Sequence, residues 1–254
     1  MAERTHNGKR LVIGASRGIG LALVEAQLAE DSVREVVATH RRESDLRELQ
    51  RLGGIHGERL RRVPLDFDDE ASLSAFGRFL DSVDGGFDLA IHAAGILHEG
   101  DVQPEKSLSE CNPANLARIF QVNSIGPLMV AATLFPRQSR NREFTFAALS
   151  AMVGSIGDNR LGGWYGYRAS KSALNQFLRT LAIECRHRHP KATVLAIHPG
   201  TTDTGLSRPF QRNVPADKLY TPETSAQRIL KVLHDAEPGM SGSFLNWDGR
   251  EIPW

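Results

Sequence analysis

The sequence predicts one α/β domain over residues 1–254, doubly wound, with a central parallel sheet flanked by helices. Three observations predict it. Short apolar runs alternate with amphipathic stretches from end to end, the pattern of parallel strands joined by right-handed helical crossovers. A glycine-rich turn joins the first strand to the first helix, where doubly wound nucleotide-binding folds of the Rossmann type place their phosphate turn. No linker, repeat or low-complexity segment interrupts the alternation.

The elements follow in order. Residues 10–13 read as the first strand, and residues 21–29 carry helical spacing. Residues 35–39 form the second strand, and the charged stretch 43–52 the second helix. The third strand is 60–65. The helix after it, 68–83, has acidic residues in its first turn, where the helix dipole favours them. Residues 87–92 are the fourth strand, 113–138 a long helix and 143–149 the fifth strand. A second long helix spans 167–187, the sixth strand 192–198, a further helix 222–234 and a short last strand 243–245.

Composition narrows the function classes. The chain is 41% hydrophobic and 24% charged, which is globular and not disordered. Its formal net charge is +1, with 31 basic and 30 acidic residues, too balanced for a nucleic-acid binder. The basic clusters Arg59, Arg61 and Arg62, then Arg137, Arg140 and Arg142, then Arg186 to His189, read as solvated surface. Cys111 and Cys185 form neither a CxxC nor a metal-ligand spacing, which fits a reducing compartment. Nine histidines without carboxylate or thiol partners at ligand spacing predict no metal site. His92, His98 and His198 read as satisfied strand-end residues. The first eight residues lack the apolar core of a signal peptide, and no apolar run reaches bilayer-spanning length. The expectation is a soluble cytoplasmic protein with no membrane partner.

Two motifs carry chemistry. Gly14-Ala-Ser16-Arg17-Gly18-Ile19-Gly20 opens the first helix. Glycines let backbone approach a pyrophosphate, and the helix N-terminus stabilises its charge. The second strand ends in Thr39-His40-Arg41-Arg42, without the acidic residue that holds a ribose 2′-hydroxyl in NAD sites. Arginine forms bidentate bonds with a 2′-phosphate, and Arg17 stands in the same turn, so NADP(H) is expected over NAD(H). The second motif is Tyr167-Arg-Ala-Ser-Lys171, a phenol and an ammonium four residues apart on one helix face. A cation ~6 Å from a phenol, at an effective dielectric of ~20, favours its ionised form by about 3 kcal/mol, or about two pH units. That brings a tyrosine toward the range of general acid–base work.

Together the residues resemble the short-chain dehydrogenase/reductase family over nearly the whole chain. The resemblance rests on Gly14-x-x-x-Gly18-x-Gly20, Asp66, Ala93-Ala94-Gly95, Asn123, Tyr167-x-x-x-Lys171 and Pro199-Gly200, in that order. The segments Gly154-Ser-Ile, 162–175 and 246–254 are similar to the C-factor and sniffer-type carbonyl reductases. The resemblance implies that Asp66 and Phe67 sit by the adenine, and that Ala93 to Gly95 pass its ribose. It implies that Tyr167 is the general acid/base, that Lys171 holds the nicotinamide ribose and lowers the tyrosine pKa, and that Asn123 helps hold a relay water. Pro199, Gly200, Thr202 and Thr204 are implied to wrap the carboxamide and phosphates. One position departs. The family's serine falls three residues before a glycine, and counting back from Gly154 gives Ala151. Ser150 ends the strand and Ser155 follows the glycine, and both remain candidates. The long loop 158–164 favours a shifted serine.

Ligands of this fold bind beyond the carboxyl ends of the strands. The loops there supply Ile96, Leu97, Met152, Trp164, Leu206 and Phe210, which suggests an apolar or aromatic carbonyl or alcohol substrate. The aperiodic stretch 201–220 is expected to close over it. The resemblance implies a homodimer or homotetramer through the long helices. Two functions stand: an NADP(H)-dependent oxidoreductase, or a nucleotide-binding regulatory protein with little activity, for which Ala151 argues.

Overall fold

The computed structural model describes residues 8–43 and 46–254. Part of the expected second helix, at residues 44 and 45, and most of the N-terminal stretch judged for a signal peptide lie outside the described residues. Seven strands form one parallel sheet: β1 (Lys9–Ile13), β2 (Glu35–His40), β3 (Leu60–Pro64), β4 (Leu89–His92), β5 (Phe144–Leu149), β6 (Ala192–His198) and a final strand at Phe244–Asn246. The order in space is β3-β2-β1-β4-β5-β6, with the final strand beside β6. The order reverses between β1 and β4. That switch point opens a crevice at the carboxyl edge, where the expected site residues lie.

The central strands β4, β5 and β6 are buried almost throughout because both faces of the sheet are covered, while the edge strand β3 carries Arg61 and Arg62. Along β5, Phe146 and Ala148 enter one core cluster, while Ala147 and Leu149 enter the other. Helices α1 (Gly18–Leu28) and α2 (Arg47–His56) pack on one side, with Leu23, Leu28 and Leu49 buried. Helix α3 (Glu70–Asp81) adds Phe76 and Leu80 on the other side. Asp69 caps it by accepting from the Ala71 amide.

The long helix expected at 113–138 is not one α-helix. It comprises α4 (Pro113–Phe120), a π-helical turn at Gln121–Ile125, α5 (Gly126–Leu134) and a 3₁₀ turn at Phe135–Arg137. Pro127 has no N–H to give the Asn123 carbonyl in α register, so the chain widens there. The stretch Pro113–Arg137 is long and apolar enough to cross a membrane by length and composition, which corrects the expectation that no run reaches that length. Its most apolar window is 56% buried inside the protein, as befits a core helix.

Helix α6 (Tyr165–Arg188) starts two residues before the expected position. A remote carboxylate explains the shift. Glu105 is 3% exposed, and its Oε2 accepts from the Gly166 amide at 3.0 Å, doing what the N-cap residue Trp164 does not. After β6, two short parallel strands unseen in the sequence, β7 (Thr201–Thr202) and β8 (Leu219–Tyr220), bracket the segment expected to be a loop. Helix α7 (Pro222–His234) and the last strand, β9 (Phe244–Asn246), complete the chain.

Candidate active site

A cleft of about 960 Å³ opens along the carboxyl edge of the sheet. One end is the glycine turn. Gly14 has φ +78°, and a Cβ there would stand 2.7 Å from Ala94. A Cβ on Gly20 would stand 2.1 Å from the Gly14 carbonyl oxygen. Only bare backbone fits, so the turn is a cradle with the α1 amides at its rim. Thr39 Oγ1 accepts from the Gly14 amide at 3.1 Å and ties the turn to β2. Ser16, Arg17, Gly18 and Ile19 line this end, as do His40, Arg41, Asp66 and Phe67. Ala93, Ala94 and Gly95 line the same cleft, as do Pro199, Gly200, Thr202 and Thr204.

The other end holds Tyr167 and Lys171, one helical turn apart on α6, at 7% and 4% exposure. The Lys171 Nζ lies 5.9 Å from the centre of the Tyr167 ring and donates to the Leu149 carbonyl at 2.8 Å. Burial pushes the phenol up to about 12 and the ammonium down to about 8. Lys171 is expected to lower the phenol, but in the cofactor-free protein burial dominates and raises it.

Asn123 stands in the π-helical turn. Its Oδ1 accepts from the Ile96 amide at 2.8 Å, and its Nδ2 donates to the Ile96 carbonyl at 2.8 Å and to Ser170 Oγ at 3.1 Å. Both amide protons are used, and the side chain clamps the loop after β4 to α6. Its place beside the lysine is clear from Gly95: a Cβ there would meet Asn123 Oδ1 at 3.3 Å and Lys171 Nζ at 3.5 Å.

The two candidate serines differ in their surroundings. Ser150 and Ala151 line the cleft and Ser155 does not. The Ser155 hydroxyl accepts from the Asp158 amide at 3.1 Å and stabilises a turn. The Ser150 hydroxyl donates its only proton to Asn175 Oδ1 at 2.7 Å, inside the protein. In this arrangement Ser150 has no proton to offer a substrate oxygen, which weighs against the catalytic role expected of it. Ala151 offers none.

The apolar loop residues converge. Ile96, Leu97, Met152, Trp164, Leu206 and Phe210 all line the cleft. Trp164 meets Tyr167 edge-on at 6.2 Å and Phe210 at 5.1 Å, and His98 meets Phe210 at 5.7 Å. An aromatic wall therefore stands beside the phenol. His92 stacks on Phe67 at 5.5 Å, and burial, assisted by the Lys171 charge, lowers its pKa to about 3. Burial likewise holds His198 at about 4. Both rings are neutral. Among the described residues His92 Nε2 and His198 Nδ1 have no hydrogen-bond partner, so these two are not the satisfied residues expected. Among the described residues no cluster of His, Cys, Asp or Glu is placed to hold a metal.

Three contacts were invisible in the sequence because they join distant segments: Glu105 beneath α6, Asn175 against Ser150, and Glu99 with Arg118 at the glycine-turn end. Only the lack of an obvious N-cap before Tyr165 hinted at the first.

This fold and site define a nucleotide-binding oxidoreductase of known type. The sequence model for short chain dehydrogenase matches residues 9–215, and the chain belongs to that family. It is similar to the C-signal of Myxococcus xanthus, 31% identical over 149 residues, covering 58% of this chain and 84% of that one. It is also similar to the NADPH-bound carbonyl reductase from chicken fatty liver. The TM-score is 0.86 at 28% identity, over 98% of this chain and 95% of that one. The carbonyl reductase Sniffer of Drosophila melanogaster shares the fold, with a TM-score of 0.84 at 23% identity, over 98% and 100% of the two chains.

Proposed function

We propose that this oxidoreductase is an NADP(H)-dependent carbonyl reductase or alcohol dehydrogenase. The observation that carries the reading is the buried Tyr167–Lys171 pair at one end of a cleft whose other end is a glycine cradle. The cradle fits a dinucleotide, because its bare backbone, amide rim and flanking Arg17 and Arg41 suit phosphate. Asp66 and Phe67 are proposed at the adenine, Ala93 to Gly95 along its ribose, and Pro199 to Thr204 at the carboxamide and phosphates. Bound there, the nicotinamide supplies or accepts the hydride.

The chain's own residues handle the proton. In reduction the Tyr167 phenol donates its proton to the carbonyl oxygen while the carbonyl carbon gains hydride, giving an alcohol. In oxidation the tyrosinate takes that proton back. Lys171 holds the ribose and stabilises the tyrosinate; Asn123 keeps the lysine's neighbourhood in register. The aromatic wall of Trp164 and Phe210 suits a flat apolar carbonyl compound. The test is NADPH consumption against a panel of aldehydes, ketones and quinones. Turnover of at least one class supports the reading. Tight NADPH binding without consumption of any supports the regulatory alternative, which Ala151 favours.

Ala151 also makes a prediction. With no serine proton aimed at the substrate, Tyr167 acts alone on the oxygen. Ala151→Ser is expected to raise kcat by about tenfold, less than the roughly 10²–10³ that a fully preorganised donor contributes, because this hydroxyl is newly introduced. Ser150→Ala is expected to lower stability by ~1–2 kcal/mol through the orphaned Asn175 oxygen, with kcat changed less than about threefold. Steady-state kinetics and urea unfolding of both variants check this. A hundredfold kcat loss in Ser150→Ala returns the serine role to that residue.

A further inference from the structure

At the glycine-turn end of the cleft, the cation expected to meet a 2′-phosphate already has a partner. Both terminal nitrogens of Arg41 donate to the Glu99 carboxylate, one of them to Oε2 at 3.0 Å. Arg118 Nη2 donates to the same Oε2 at 2.9 Å, and its Nη1 pairs with Asp68. Arg41, Glu99 and Arg118 all line the cleft.

The carboxylate is the fixed member of this group. Glu99 and Val102 exchange both backbone hydrogen bonds, at 3.1 and 3.0 Å, around Gly100 at φ +56°, so Glu99 is presented by a closed two-residue turn. Arg118 holds its carboxylate from α4. Arg41 reaches it on a long side chain from just after β2, the place where a cation is expected to meet the 2′-phosphate.

We propose that Glu99 is a built-in competitor of the cofactor's 2′-phosphate for Arg41, and so a residue that sets the strength of NADP(H) over NAD(H) preference. The inference rests on the NADP(H) reading above. A fixed negative charge within hydrogen-bond distance of the phosphate's cation subtracts from that cation's attraction. It also repels a dianionic 2′-phosphate directly. A ribose 2′-hydroxyl suffers neither effect. Glu99 therefore weakens NADPH selectively, which favours cofactor release over retention.

The test is direct binding by fluorescence titration of NADPH and NADH to wild-type protein and to Glu99→Gln. The glutamine keeps an acceptor for both arginines and removes the charge. NADPH is expected to bind about tenfold more tightly to the variant, with NADH changed less than about twofold. The difference is expected to shrink as salt rises toward 1 M. In an Arg41→Ala background, Glu99→Gln is expected to tighten NADPH binding clearly less than it does in the wild type, because only the direct repulsion is then relieved and the competition for Arg41 is gone. Equal tightening or loosening of both cofactors makes the bridge a simple adenine clasp and overturns the proposal. Weaker NADPH binding to the variant overturns it too, because Glu99 then orients Arg41 productively. Wild-type protein that binds NADH as tightly as NADPH overturns the cofactor reading itself, a result distinguishable from either of these.

Discussion

Tyr167→Phe is expected to lower kcat by at least about a thousandfold while the Kd for NADPH changes less than about threefold. The size follows from what the phenol does. General acid catalysis by a positioned side chain contributes roughly 10²–10⁴ in rate. Here no second donor shares the load, because Ala151 has no hydroxyl and the Ser150 proton goes to Asn175. The substrate oxygen of the variant would gain hydride without a proton source, and the alkoxide would form in a desolvated site. The fold is expected to survive. The ring remains, its edge contact with Trp164 at 6.2 Å is retained, and among the described residues the phenol oxygen has no hydrogen-bond partner to lose. Stopped-flow NADPH oxidation, paired with fluorescence titration, checks both halves. Wild-type turnover in Tyr167→Phe removes the tyrosine from the chemistry.

The pH dependence of that step follows from burial. Without another charge the phenol sits near 12, so the cofactor-free protein keeps Tyr167 protonated through pH 10. The sequence argument placed Lys171 four residues away and credited it with about two pH units in the opposite direction. Burial acts in the other direction, and in the cofactor-free protein it sets the balance. Spacing along a helix reports which side chains are neighbours, but not how much water the fold removes from them. Desolvation depends on how distant segments close around the pair, with Trp164 against the Tyr167 ring and the Leu149 carbonyl on Lys171, and no local pattern states that.

The same division runs through the whole chain. Strands β1 to β6 were legible because each carries a short buried apolar run, nearly unbroken in the central strands, as in 192–198. The glycine turn was legible because its need for bare backbone is written in residue type. The π-helical turn was missed, though Gly126-Pro127 marked the place where helical hydrogen bonding fails. Strands β7 and β8 were missed because each is two residues long. Glu99 and Glu105 were missed for a different reason. Their partners stand 58 and 61 residues away, and a lone glutamate in a loop looks like solvated surface until the fold brings an arginine or a helix end to it.

Lys171→Met is expected to abolish most turnover and yet stabilise the cofactor-free protein at pH 7. Burial holds the ammonium at about 8 in the folded state, against 10.5 for an unhindered lysine. At 1.36 kcal/mol per pH unit, keeping that buried lysine charged costs about 3 kcal/mol at neutral pH. Methionine has similar length and no charge. Losing the 2.8 Å bond to the Leu149 carbonyl offsets about 1 kcal/mol of the gain. The net expectation is ~2 kcal/mol, or about 4–8 °C in Tm for a chain of this size. The sign of the pH dependence is fixed by the direction of the shift. Below about pH 8 both states hold the proton and the wild type carries the full penalty. Between about 8 and 10.5 the unfolded chain binds more protons than the folded one, so wild-type stability from this group rises with pH. The advantage of Lys171→Met must therefore shrink as pH rises, to near zero by about pH 9.5. Thermal unfolding at pH 7 and 9.5 measures it. A pH-independent advantage assigns the gain to packing, and a loss at pH 7 shows that Lys171 is held in place by more than its bond to Leu149. A gain at pH 7 together with lost turnover means that the buried cation is kept for its chemistry at a standing cost in stability.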